Sequence, residues 1–390
     1  MSIDVDESRI VSLQTTLMKF PSSSAGTDIQ DYIASLDGIR GISISIVLLS
    51  HAAVPGFHEA GGIGVDIFFV LSGYLITTVL IREYEKTGSI SLTEFYRRRS
   101  LRLFPALLLM SILFFSYAAI FLPDFSARLR ETVEALLYVS NWSRAFEFGT
   151  SSFLGHTWSL GIEEQFYVLW PVVLVCLLGL SRGRARAFSV ALALAAAAAL
   201  WRMGLALHGA SVMRLYNGFD TRCDCVLIGC ALAFVVARLA PLWPIGAIGI
   251  LITLVTYELN CFLPLMAGYT ANAIFAALLI AGATKKDTYV SWVLSLSPLV
   301  MIGRISYGLY LFHFPIYLVI AQQFRLGGWD LDAVALALTA AISILSYQYV
   351  ERPCMQIRHS SAWAPTTRWL AYLGPSCLGL GILYVIYNLL

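Results

Sequence analysis

Polar and apolar positions alternate along this chain on the length scale of a membrane. Residues 1–30 are polar and Ser-rich and contain Asp4, Asp6 and Glu7. A secretory signal starts basic and passes directly into an apolar stretch, so this leader is not one. It reads as a disordered or peripheral extension. From residue 32 apolar runs recur, near 36–54, 63–81, 103–122, 157–180, 187–207, 225–240, 243–260, 268–284, 304–322, 331–350 and 370–389. Each approaches the roughly 20 residues with which a helix crosses a bilayer core. Runs 132–142 and 289–302 are shorter and predict interfacial or re-entrant segments. The pattern predicts an all-α fold, a polytopic helical membrane bundle of ten or eleven transmembrane helices. Three parts follow: a polar N-terminal extension, 1–31; a transmembrane domain, 32–355; and a C-terminal extension, 356–390, with one extra span.

Composition narrows the class. Of 390 residues, 58% are hydrophobic and 13% charged, with a mean hydropathy of +0.75. Soluble domains carry roughly 25% charged residues. A soluble enzyme is excluded, as are disordered and collagen-like chains. The net charge of +2 gives no sign of a nucleic-acid partner. Cys176, Cys230, Cys261 and Cys377 lie in apolar runs. Cys223 and Cys225 are separated by one residue, too few for a zinc pair, and no metal site is expected. With the N-terminus cytoplasmic, inner loops hold 15 Lys and Arg and outer loops 6, which favours that orientation. No internal repeat is visible.

Some charges have no such topological reason. Asp37-Gly-Ile-Arg40 opens the first span and His51 closes it. Eleven residues turn about 1100°, three turns plus about 20°, so Arg40 and His51 share a helix face about 16 Å apart. Asp37 lies one turn before Arg40 and joins that face. A capping pair with an interfacial His is one reading; a proton-transfer His inside the bundle is the other. Asp66 enters the apolar Gly61–Leu75 segment, where it either caps the helix, holds Arg40 or serves the reaction. Phe95-Tyr-Arg97-Arg98-Arg99-Ser-Leu-Arg102 is either a topological signal or an anion site. All four basic residues are Arg, which suits bidentate anion recognition at the inner membrane surface.

Trp158-Ser-Leu-Gly-Ile-Glu163-Glu164-Gln-Phe-Tyr167 puts two carboxylates at the mouth of a span. Glu163, Tyr167 and Trp170 share a face. Glu163 is expected to be the buried partner of a His or Arg, and Glu164 to serve the helix N-terminus. Arg222-Cys-Asp224, Arg304 through His313, and Glu351-Arg352-Pro353 complete the set. His313 is either a core residue or functional, and Glu351-Arg352 is adequately explained as an anchor.

Taken in order, these segments resemble the acyltransferase 3 family of membrane O-acyltransferases. The resemblance rests on Asp37-Gly-Ile-Arg40-Gly with His51; Gly64-Val-Asp66 through Ser72-Gly-Tyr; Arg99-Ser-Leu-Arg102-Leu-Phe-Pro105; and Trp158 through Tyr167. It continues through Arg222-Cys-Asp224, Gly303-Arg304-Ile-Ser-Tyr307 to His313, and Tyr349-Val-Glu351-Arg-Pro353, covering about 32–355. Cys225 departs from it where such sequences often carry Gly. The last span resembles the extra helix of members fused to a hydrolase-like domain, although this chain reads as a stand-alone member.

The resemblance implies transfer of an acyl group, most often acetyl, from acyl-coenzyme A. That donor is a co-substrate, and no cofactor is permanently bound. The acceptor would be a hydroxyl of a glycan or lipid-linked glycan, in a bacterial inner membrane. The resemblance makes His51 with Arg40 the catalytic pair, Arg99 and Arg102 the donor motif, and Glu163 a functional carboxylate. Chemically, His51 suits a general base for the acceptor hydroxyl. Asp37, Asp66 or Glu163 could orient it or hold Arg40. Arg98, Arg99 and Arg102 suit the coenzyme A phosphates. Ser72, Tyr167, Arg222, Asp224, Arg304 and His313 fall into substrate-binding or supporting roles. The rival class is a proton-coupled transporter or flippase for an anionic or lipid-linked sugar, whose relays use the same residue types.

Overall fold

A computed structural model describes residues 32–52, 54–57, 60–149, 153–258, 268–324, 328–359 and 372–389. The N-terminal leader and Cys261 lie outside the described residues, as does part of the C-terminal extension. Among the described residues every regular element is helical. The order begins α1 Ala34–His51, α2 Gly61–Thr87, α3 Leu92–Phe121, α4 Phe125–Leu136 and α5 Ser140–Ala145. After a 3-10 turn, Gly155–Thr157, come α6 Trp158–Leu178, α7 Gly183–Leu207, α8 Val212–Asn217, α9 Phe219–Leu239 and α10 Trp243–Glu258. Then follow α11 Tyr269–Ala283, α12 Tyr289–Leu294, α13 Ser297–Arg304, α14 Ser306–Phe324 and α15 Gly328–Ser346. A π-helical turn, Tyr347–Glu351, leads into α16 Arg352–His359, and α17 spans Leu373–Leu389.

Each of the eleven apolar runs has a helix at its place, so the all-α bundle stands. The helices differ from the runs in length. α3 starts at Leu92, well before the apolar run at 103, because Ser91 Oγ accepts from Glu94 N and caps it. The arginine cluster is therefore inside a helix. α9 starts at Phe219 and takes in Arg222 and Asp224. Among the described residues, six helices, or joined helices, are long and apolar enough to cross a membrane, and seven if the bent α13–α14 pair is one span. The joined stretch Val212–Thr256 has 45 residues and holds two of the predicted runs. α1, α11 and α17 are shorter. Outward-facing Ile112, Leu113, Leu200, Ile248, Leu251 and Val255 give the bundle the apolar exterior that lipid requires.

One crossing matters for the site. α13 packs across α1 so closely that a Cβ on Gly303 would stand 1.8 Å from Asp37 O. Only glycine permits that approach. The chain then bends by 67° between α13 and α14, which sends α14 along α1 toward His51.

Candidate active site

The most deeply buried charges form a network beside the rest of the site. Arg222 Nη2 donates to Asp66 Oδ1 at 2.5 Å, and both side chains are fully buried. Asn272 Nδ2 donates to Asp66 Oδ2 at 3.3 Å. Arg202, also fully buried, donates to Asp224 Oδ2 at 3.0 Å and to Thr270 Oγ1 at 2.6 Å. The Arg222 guanidinium lies 3.8 Å from the centre of the Tyr269 ring. The expectation that Asp66 caps α2 or holds Arg40 is corrected here. Asp66 lies more than a turn inside α2, and its cation is Arg222 on α9.

At the start of α1, Arg40 Nη1 donates to Asp37 Oδ1 at 2.5 Å, as one turn of spacing predicts. Arg304 approaches the other carboxylate oxygen, Nε to Oδ2 4.0 Å, because α13 crosses there. His51 closes the same helix. The two residues read as a catalytic pair therefore stand eleven positions apart, about 16 Å along the axis, on one face but at different depths.

The arginines of α3 diverge. Arg97 is buried against Glu94 at 2.7 Å, and Arg98 meets Glu83 at 3.4 Å and Glu94 at 3.7 Å. Arg99 stacks on Tyr167, 3.7 Å from ring centre, and its Nε is buried without a partner among the described residues. Arg102 acts electrostatically on Glu351. Glu351 is buried, with Ser346 Oγ donating to its Oε1 at 3.2 Å, so it is more than a surface anchor.

Glu163, Tyr167 and Trp170 do share a face, and it packs on α2. Ser72 Oγ donates to Glu163 Oε1 at 2.6 Å, Tyr167 OH donates to Ser72 Oγ at 2.9 Å, and Trp170 Nε1 donates to Thr77 Oγ1 at 2.9 Å. The assignment of burial to the two carboxylates is reversed. Glu163 is only partly buried, whereas Glu164 is buried beside Arg99 with its Oε2 unpartnered among the described residues.

At the other end of α1 three imidazoles meet. The His51 ring is 5.0 Å from that of His313, which is 5.4 Å from that of His156. His51 Nδ1 lies 2.9 Å from Val47 O. A carbonyl oxygen only accepts, so Nδ1 carries the proton and the neutral ring offers its Nε2 lone pair. The turn bearing His156 is tied down from both sides. Its Nε2 donates to Leu311 O at 3.0 Å, and Tyr310 OH donates to His156 O at 2.7 Å. Upstream, Glu131 Oε2 accepts from the amides of Phe153 and Leu154 at 3.0 and 3.2 Å. Arg144 packs against Gly155 so tightly that a Cβ there would lie 2.4 Å from its Nη1.

A family model for the acyltransferase domain of the acyltransferase 3 family matches residues 33–348. The chain belongs to the acyltransferase 3 family. Relatives within reach of direct comparison include a peptidoglycan O-acetyltransferase OatA from Listeria monocytogenes, 35% identical over 346 residues. That alignment covers 83% of this chain and 56% of the relative. An O-acetyltransferase OatA from Staphylococcus aureus is 32% identical over 352 residues, covering 83% and 57%. The chain thus spans little more than half the length of these relatives. No solved structure matches it.

In this acyltransferase 3 member most of the predicted residues therefore fall into four groups. Asp37, Arg40 and Arg304 meet at the opening of α1. Arg99, Tyr167, Ser72 and Glu163 run as one connected line along α6. His51 and His313 meet at the far end. Asp66, Arg222 and Asp224 stand apart in the buried network. Sequence reasoning missed His156, Glu131 and Arg202, and gave Glu351 only an anchoring role. Of the three missed, His156 alone had an audible signal, since it directly precedes the Trp158–Tyr167 motif. Glu131 and Arg202 owe their places to contacts that only the fold creates.

Proposed function

We propose that the protein is a membrane O-acetyltransferase that moves an acetyl group from acetyl-coenzyme A to a hydroxyl of a glycan or lipid-linked glycan. The names of the relatives above support peptidoglycan as the class of acceptor. The observation that carries the reading is the disposition of His51: its Nδ1 is tied to Val47 O, which leaves Nε2 as a proton acceptor. In the reaction His51 Nε2 takes the proton of the acceptor hydroxyl. The oxygen attacks the thioester carbonyl, a C–O bond forms, the C–S bond breaks, and the thiolate leaves and is protonated.

The donor enters by the arginines. Arg99, with a buried Nε free of partners among the described residues, fits a phosphate oxygen, and Arg98 and Arg102 flank it. From Tyr167 beneath Arg99 to His156 is eleven residues of α6 and its leading turn, about 16 Å. Arg40 and His51 are separated by the same span on α1. A long, thin arm bearing a thioester bridges such a distance, and the Ser72–Glu163–Tyr167 line supplies polar contacts on the way. With a cytoplasmic N-terminus the arginine end faces the cytoplasm of a bacterial cell and the histidines lie toward the outer leaflet.

The test is release of coenzyme A from acetyl-coenzyme A by detergent-purified full-length protein given a muropeptide or chitooligosaccharide acceptor. His51→Ala is expected to lower kcat at least 100-fold, the contribution of a well-placed general base. A His51→Ala enzyme with wild-type turnover overturns the role of that residue. A wild-type protein that transports the glycan across vesicles but releases no coenzyme A overturns the enzyme reading.

A further inference from the structure

Three imidazoles meet at the histidine end of the bundle, and the reaction above uses one. His313 stands between the other two, and Phe314 contacts the rings of His51 and His156 at 5.0 and 5.4 Å. Each histidine has one nitrogen fixed by the backbone: His51 Nδ1 by Val47 O, His313 Nδ1 by Tyr310 O at 2.7 Å, and His156 Nε2 by Leu311 O at 3.0 Å. Those nitrogens must donate, so the remaining nitrogen of each neutral ring is a lone-pair acceptor. His313 Nε2 and His156 Nδ1 are buried, and neither has a hydrogen-bond partner among the described residues.

Buried polar atoms are nearly always paired, and those that are not call for an explanation. Here two orphan acceptors sit beside the acceptor assigned to catalysis, and no described residue donates to either. Whatever completes it must bring donors. At the reacting end, a thioester carbonyl and an ionised phosphate bring none, and the nearest amide N–H of the donor's arm lies two carbons back from the sulfur, whereas each acceptor hydroxyl brings one. A ligand with a single hydroxyl satisfies His51 alone. We propose that His313 Nε2 and His156 Nδ1 accept hydrogen bonds from further hydroxyl groups of the acyl acceptor, so that the site selects a polyol, such as a sugar, over a simple alcohol. This rests on the reading of His51 as the base that serves an acceptor hydroxyl.

Two probes of equal carbon count isolate the effect, 1-propanol and glycerol. Full-length protein is assayed for acetyl-coenzyme A-dependent ester formation on each. Wild type is expected to prefer glycerol in kcat/KM by more than tenfold. That ratio falls at least tenfold in His313→Leu, and His313→Gln, whose amide oxygen accepts, regains part of it. A wild-type ratio near one, or a ratio retained in His313→Leu while both rates drop together, overturns the proposal and leaves the histidine a packing role. Binding gives a second readout. Saturation-transfer NMR with methyl glucoside should give a signal for wild type that is lost in His313→Leu and His156→Leu. Equal signals overturn the proposal even where no ester forms, whereas binding without ester formation overturns only the acyl-transfer reading.

Discussion

Removing Asp66 should unfold the protein more readily, without a change in donor affinity for what remains folded. Asp66 and Arg222 are both fully buried and 2.5 Å apart, with Asn272 on the second carboxylate oxygen. Asp66→Ala strips the acceptor from Arg222 Nη2 and Asn272 Nδ2 at once. The guanidinium has no exit to water, because the Tyr269 ring lies 3.8 Å away and Tyr216 and Trp158 stand 5.2 and 5.8 Å off. Breaking a buried pair from one side costs about 3–5 kcal/mol, most of it the uncompensated charge. At 3 kcal/mol the folded-to-unfolded ratio falls by about 150-fold, since about 1.4 kcal/mol is tenfold. The double variant Asp66→Leu/Arg222→Met removes both charges, so most of the loss should return. The assay is equilibrium unfolding in mixed dodecylmaltoside–SDS micelles, with acetyl-coenzyme A binding by calorimetry at low SDS. An Asp66→Ala protein within about 0.5 kcal/mol of wild type, or a double variant as unstable as the sum of the singles, refutes the supporting role. A stable Asp66→Ala protein that no longer turns over would return Asp66 to the reaction.

Arg99→Ala and Arg102→Ala should each weaken acetyl-coenzyme A by about 10–100-fold, the worth of a charge-assisted contact, with unfolding midpoints near wild type; calorimetric affinity within threefold of wild type would contradict the donor site. Glu131→Gln weakens the charged acceptor that holds the amides of Phe153 and Leu154. Hydrogen exchange at those two amides should accelerate and kcat fall, with donor affinity unchanged; unaltered exchange would show that the turn bearing His156 is held by other means. Asp124 caps α4, and the Ser126 hydroxyl and the Ala127 amide hold its carboxyl below the usual carboxylate range. A lowered folded pKa contributes stability above the ordinary range and loses it as pH falls through the folded value. The Ala127 amide should therefore exchange faster below the usual carboxylate range, and Asp124→Asn, which also caps, should abolish the pH dependence; a dependence that persists in Asp124→Asn assigns it elsewhere.

What the sequence made legible follows from helix periodicity. One turn brings Asp37 to Arg40, and Glu163, Tyr167 and Trp170 fall on one face of α6, because 100° per residue is a local rule that tertiary structure did not override. Depth is a different quantity. Arg40 and His51 share a face, yet eleven residues set them about 16 Å apart, so sharing a face never meant touching. The errors concerned partners drawn from other helices. Asp66 found Arg222 156 residues away, and Glu164 rather than Glu163 was turned inward to Arg99. No spacing rule contains that information, since which helices adjoin depends on small-residue crossings such as Gly303 on Asp37. The same separation makes mechanistic sense. A cation group that grips phosphates must stay near water, where a charged headgroup can reach it, while a base that must hold its lone pair works best away from those cations. On the proposed function, Arg99 and Tyr167 at one level and His51 and His156 at another would meet both demands within a single bundle. The about 16 Å between them would then be the length an acyl donor's arm covers rather than a gap for conformational change to close.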